Sequence, residues 1–374
     1  MAMALLAGRA RATAVISTAA LPWLCCGDGA PREPPAPAPG VAASLLWHRE
    51  DALARARVWR PPATPIAEAD LLNDGPGPFT ATDRIECRYL LKLTSGRTPK
   101  FHCVLADGRV IKVKYGLLNA EPRTERAATR LLSALGFGAD HMYLVARVRC
   151  RGCPAYPHPH WGLLNSILAR PSRHADFTDV AVEDPLPGRS IEAGEIEGWS
   201  FHELDKVDAS RGGASRAELD ALRLMAVFLA DWDNKAVNQR LVCLPGGDLP
   251  GGGCDAPFAY LQDVGATFGP RGLNLEAWRA TPIWDDPSTC RVSMRSLPYQ
   301  GATFPDTVIG EGGRRFLADL LKQLRPHQVR DLFTGAGFTE FARASEAGRD
   351  AANWVAAFED KVRQLADRPA CPEP

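Results

Sequence analysis

Three oxygen-bearing side chains carry the chemistry on offer in this sequence. Asp233 and Asn238 lie in the stretch LADWDNKAVNQR at 229–240, and Asp263 lies in LQDVG at 261–265. Such a set suits a Mg²⁺-nucleotide phosphotransferase: one carboxylate orients an attacking hydroxyl, while an amide and a second carboxylate hold the cation on the phosphates. The same residues, with Asp231 and Asn234, also suit a helix end running into a turn. The elements that position them decide between the two readings.

A helix must deliver Asp233. Ser215 and Glu218 have capping-box spacing, and Leu219, Leu222, Met225, Phe228 and Leu229 form one apolar stripe leading to Asp231 and Asp233. Strands are predicted at 240–244 and 258–262, joined by the Gly-rich loop 245–253, with Asp263 at the end of the second and Gly265 beside it. Upstream, strands are predicted at 87–93, 101–105 and 110–115, separated by a turn at 94–100 and an Asp-Gly turn at 106–109. The first turn supplies Ser95, Gly96, Arg97, Thr98 and Lys100, a composition able to cradle phosphates. Period-two alternation puts Lys112 and Lys114 on one face of the third strand, where they either reach a nucleotide phosphate or line a solvated edge. A helix follows, opened by Pro122 and Thr124 and stopped at Gly136, with Glu125 in its first turn. A strand at 142–148 would complete the sheet. Residues 150–198, rich in Pro, Gly and charge, give no clear order, and further helical stripes run through 316–324 and 354–365.

Taken in order, a strand lysine, a helix glutamate, Asp-x₄-Asn after a helix and Asp-x-Gly after a hairpin resemble the protein-kinase-like fold. The likeness is to its atypical branch, the phosphoinositide-kinase-like and HipA-like kinases, over about residues 87–340. It implies an α+β bilobal fold with a small antiparallel sheet lobe carrying one main helix, and a larger, mostly helical lobe. It also implies ATP and Mg²⁺ (or Mn²⁺) as cofactors. Asp233 matches the catalytic aspartate, and Asn238 and Asp263 match the metal-binding residues. Lys112 is the preferred nucleotide lysine with Lys114 its rival, Glu125 is the ion-pair partner, and Ser95 to Lys100 form the phosphate loop. The sequence departs from those families in Asn234-Lys235, where relatives often have Arg-His, and in lacking a GxGxxG turn and an APE segment.

Length and composition bound the setting. The 374 residues, 45% apolar and 24% charged, are enough for a sizeable globular core. Lys+Arg and Asp+Glu both number 44, so no net field draws the chain to nucleic acid. Residues 1–26 resemble a signal peptide or lipoprotein-type leader: Arg9 and Arg11 precede an apolar run too short to span a bilayer. A Pro-rich linker (27–40), an N-terminal extension (41–86), a sheet lobe (87–150), a helical lobe (151–366) and a tail (367–374) follow. The expected address is exported or periplasmic, with Cys25 a candidate lipid anchor as the sole membrane link. A cytoplasmic location follows if the leader is an unstructured tail. Ten cysteines suit an oxidising compartment. Cys150-Arg-Gly-Cys153 is read as a disulfide or a thiol pair in preference to a zinc site completed by His158 and His160.

The functional expectation is thus an exported atypical kinase acting on an unknown protein, lipid or small-molecule acceptor. The alternative is a catalytically silent pseudokinase-type binding module in the cell envelope. Serine-hydrolase chemistry lacks a G-x-S-x-G elbow, and metal-dependent hydrolysis lacks a His–carboxylate ligand pattern.

Overall fold

The computed structural model describes residues 39–73, 77–92, 98–154, 157, 173–270 and 272–372. The leader, most of the Pro-rich linker, Ser95, Gly96, Arg97, His158 and His160 lie outside them.

The described chain is α+β, a seven-stranded sheet lobe and a mainly helical lobe, consistent with the kinase-like fold expected. The sheet contains β1 (Arg84–Leu90), β2 (Lys100–Val104), β3 (Val110–Tyr115), β4 (His141–Val145), β5 (Arg147–Arg151), β6 (His174–Phe177) and β7 (Val180–Asp184). Their order is β4-β7-β3-β2-β1-β5-β6, and within it β1 and β5 run parallel. The single strand expected at 142–148 is therefore two strands. β4 pairs with β7 and β5 with β1, so the chain leaves one side of the sheet at Ala146 and joins the other. Alternation sorts the faces: Phe101, Cys103, Ile111, Val113 and Val182 pack into one apolar cluster, which leaves Lys100, His102, Lys112 and Lys114 on the other side.

Helix α1 (Pro39–Ala54) precedes the sheet, and α2 (Glu121–Ala134) connects β3 to β4 and packs on β4, β7 and β3. Its stop is Gly136 at φ 89°, the left-handed geometry that glycine adopts without a Cβ penalty. Strand β8 (Arg189–Ser190) then leads to α3 (Arg216–Leu229), where both halves of the Ser215–Glu218 capping box form. The hairpin is β9 (Gln239–Cys243) and β10 (Pro257–Leu261), close to the spans read from sequence. Helices α4 (Leu275–Ala280), α5 (Glu311–Leu321), α6 (Pro326–Gly335) and α7 (Ala351–Ala366) close the large core around Phe228, Phe268, Trp278, Phe333 and Trp354.

The eight cysteines of the described residues pair as Cys87–Cys103, Cys150–Cys153, Cys243–Cys254 and Cys290–Cys371. Cys150 and Cys153 are thereby consumed, which removes them as zinc ligands. The last bridge closes 81 residues, worth about 4–5 kcal/mol in a chain-entropy account. Among the described residues no helix is long and apolar enough to cross a membrane.

Candidate functional site

The β2/β3 register sets Lys100 opposite Lys114 and His102 opposite Lys112, so four basic side chains share one face of two neighbouring strands. Helix α2 lays Glu121 and Glu125, one turn apart, against that face, and β7 adds Glu183 beside Lys112. Lys114 is completely buried. Its Nζ lies 2.8 Å from Glu125 Oε1, 3.0 Å from Asp263 Oδ1, 3.8 Å from Glu183 and 3.9 Å from Glu121. Of the two candidate lysines, Lys112 Nζ pairs with Glu183 at 2.5 Å, and it is Lys114 that meets Glu125 and Asp263. Both lysines point the same way, and the position of α2 along β3 selects between them. Lys100 Nζ lies 4.0 Å from Asp263 Oδ2. Thr98 donates to Glu121, bringing the described end of the 94–100 turn onto α2.

The other half of the site comes from the end of α3. Ala230 closes the helix in left-handed geometry, at φ 56° and ψ 47°, and turns the chain sharply into Asp231. Asp231 is buried, and the low dielectric, with Asp233 and Asp263 nearby, pushes its carboxyl well above the usual range. Asn234 serves the scaffold: its side chain donates to Asp231 O and accepts from the amides of Thr303 and Phe304. Asp233 remains partly exposed, with Lys235 Nζ 2.6 Å from its Oδ1. Asn238 donates through Nδ2 to Asp233 O at 2.5 Å, and its own carbonyl accepts the amides of Gln262 and Asp263 at 3.0 and 3.1 Å. The loop holding Asp233 and Asn238 is thus stitched to the strand end that carries Asp263. Gly265 is required by proximity, because a Cβ there would stand 2.9 Å from Glu121 Cγ, and its carbonyl accepts from Thr124 Oγ1 at 2.6 Å.

The protonation pattern follows from burial against charge. Burial raises the Asp263 carboxyl, but Lys114, Lys112 and Lys100 together outweigh it and hold Asp263 below the ordinary carboxylate range. Glu125 goes the other way: burial, opposed by Lys114 but reinforced by Asp263 and Glu183, pushes it up to about 8. His102 is driven down to about 4 by burial and by Lys92 and Lys112, so it is neutral near pH 7.

A cleft of about 510 Å³ opens beside these groups, lined among others by Glu121, Asp233 and Gly265. Of the residues expected from sequence, Lys112, Lys114, Glu125, Thr98, Lys100, Asp233, Asn238 and Asp263 converge on one region, while Ser95, Gly96 and Arg97 lie outside the described residues. Glu121 and Glu183 join the site from outside the motifs read in the sequence. Glu121 stands four positions before Glu125, and Glu183 interrupts the apolar run Val180-Ala-Val, both of which are visible signals in the sequence.

No protein-family model matches the chain, and no curated protein does either. Among solved structures, the Helicobacter pylori proinflammatory kinase CtkA is similar at 9% identity and TM-score 0.42, over 75% of this chain and 94% of that one. An apo pseudokinase is similar at 13% identity and TM-score 0.21, over 78% of this chain and 99% of that one.

Proposed function

We propose that the chain is an atypical kinase-like phosphotransferase using Mg-ATP. The supporting observation is the meeting of residues far apart in sequence: Lys114 bonds both Glu125 and Asp263, while the Asn238 carbonyl accepts the amide of Asp263. The donor set fits a divalent cation. Three ammonium groups (Lys100, Lys112, Lys114) face four carboxylates (Glu121, Glu125, Glu183, Asp263), and the oxygen-bearing side chains of Asn238 and Asp263 are hard ligands of the kind Mg²⁺ or Mn²⁺ accepts. When bound, the cation neutralises phosphate charge. Lys114, fixed by Glu125, positions phosphate oxygens, and the Asp233 carboxylate accepts the proton of the acceptor hydroxyl. Four disulfides in the described residues support an oxidising compartment, hence export.

A second reading, a silent binding module, is favoured by the pairing of both key aspartates with lysines, Asp233 with Lys235 and Asp263 with Lys114. Thermal denaturation of the full chain with ATP and Mg²⁺ or Mn²⁺, repeated on Asp263→Ala, tests the site. The expected result is stabilisation by the metal–nucleotide pair that disappears in the variant. An unchanged shift in Asp263→Ala would refute the assignment, and stabilisation without phosphate transfer would favour the silent module.

A further inference from the structure

The cleft beside Asp233 mixes apolar side chains, Leu118, Trp232, Leu273 and Phe341, with the amides of Asn119 and Asn274 and one guanidinium, Arg343. Arg343 is exposed and has no ion-pair partner among the described residues. The two acidic groups of the lining are already engaged, Glu121 by Thr98 and Asp233 by Lys235. At about 510 Å³ the cleft has the size of a small-molecule site, and Leu118, at 53% exposure, offers apolar surface at its edge.

We propose that this cleft is the acceptor site and that its acceptor is a small hydroxy compound with an apolar body and an anionic group. The inference rests on the nucleotide reading above. The apolar side chains cover the body, and the free guanidinium takes a carboxylate or phosphate in its planar fork. The hydroxyl lies toward Asp233. Its oxygen forms a bond to the γ-phosphorus of ATP as the bond from that phosphorus to the β–γ bridging oxygen breaks. The leaving ADP keeps that electron pair, and the hydroxyl proton passes to the Asp233 carboxylate.

The experiment measures phosphate transfer by the full chain from Mg-ATP to aliphatic and aromatic hydroxy acids, alcohols bearing a phosphate monoester, the uncharged parent alcohols and a serine peptide. Mg-ATP stabilisation is followed separately. The anionic acceptors are expected to exceed their parent alcohols by about tenfold or more in kcat/KM, consistent with one charge-assisted bidentate contact. In Arg343→Ala that preference should shrink to about twofold through KM, with Mg-ATP stabilisation retained, and Arg343→Lys should recover part of it. Acids and phosphate esters distinguish the two sources of the anion. Equal transfer to alcohols, transfer to the peptide alone, or no transfer while Mg-ATP still stabilises would overturn the acceptor assignment and leave the nucleotide reading standing. Loss of Mg-ATP stabilisation itself would overturn both.

Discussion

Two buried ionic clusters in this molecule obey opposite rules. In the helical lobe, Arg314 grips both oxygens of Glu311 at 2.6 and 2.7 Å and donates its remaining nitrogen to Leu365 O. Glu311 also accepts from Arg315 and the Cys371 amide, which ties the chain end to α5. The hydrogen bond from Arg314 holds the Glu311 carboxyl down to about 2. In the cleft, by contrast, Lys114 is shared among four carboxylates and Glu125 is pushed up to about 8. The first cluster is balanced and needs nothing more. The second crowds three lysines and four carboxylates into a low dielectric, where Glu125 favours its protonated form, and strongly perturbed groups of that kind gather at functional sites.

The comparison can be broken most forcefully at Lys114. Removing the shared cation leaves buried Glu125 without its hydrogen-bond donor and Asp263 without its closest positive partner, so Lys114→Met should lower the unfolding free energy by about 3–5 kcal/mol in denaturant titration. Glu311→Gln should cost about 1.5–3 kcal/mol at pH 7, the range for hydrogen bonds to charged groups. Its pH dependence has a definite sign. The folded value lies below the usual 4.5, so the contribution is present above 4.5 and is lost as pH falls toward about 2, where variant and wild type should converge.

Glu125→Gln should show the reverse slope and a smaller effect, about 1 kcal/mol or less near neutrality. Here the folded value is raised above 4.5, so the stability contribution is full below 4.5 and declines as pH rises through about 8. Wild type should weaken across that window while the variant stays flat; parallel curves would show that Lys114 keeps Glu125 ionised. The smallest effect on stability is expected at Asp233→Asn, within about 0.5 kcal/mol because the side chain is partly exposed, while phosphate transfer should fall by about 10²–10⁴-fold.

Much of this arrangement is local and was legible in the chain. Period-two alternation put Lys112 and Lys114 on one face, the Ser215–Glu218 box marked the start of α3, and the hairpin ending at Asp263 followed from two apolar runs around a Gly-rich loop. Each depends on neighbours within a few residues, where backbone sterics and hydrogen bonding act directly. What the chain could not reveal is non-local. Strand β7, from a stretch whose elements the sequence leaves open, inserts between β3 and β4 and brings Glu183 to Lys112, and β5 crosses to the far side of the sheet. The pairing of Cys290 with Cys371 across 81 residues is of the same kind. The choice of Lys114 over Lys112 depends on where α2 rests along β3, since both residues satisfy the same alternation. Side-chain direction is set by the strand, but the partner a side chain meets is set by tertiary packing, and only the folded chain brings Glu125, Asp263 and Lys114 together.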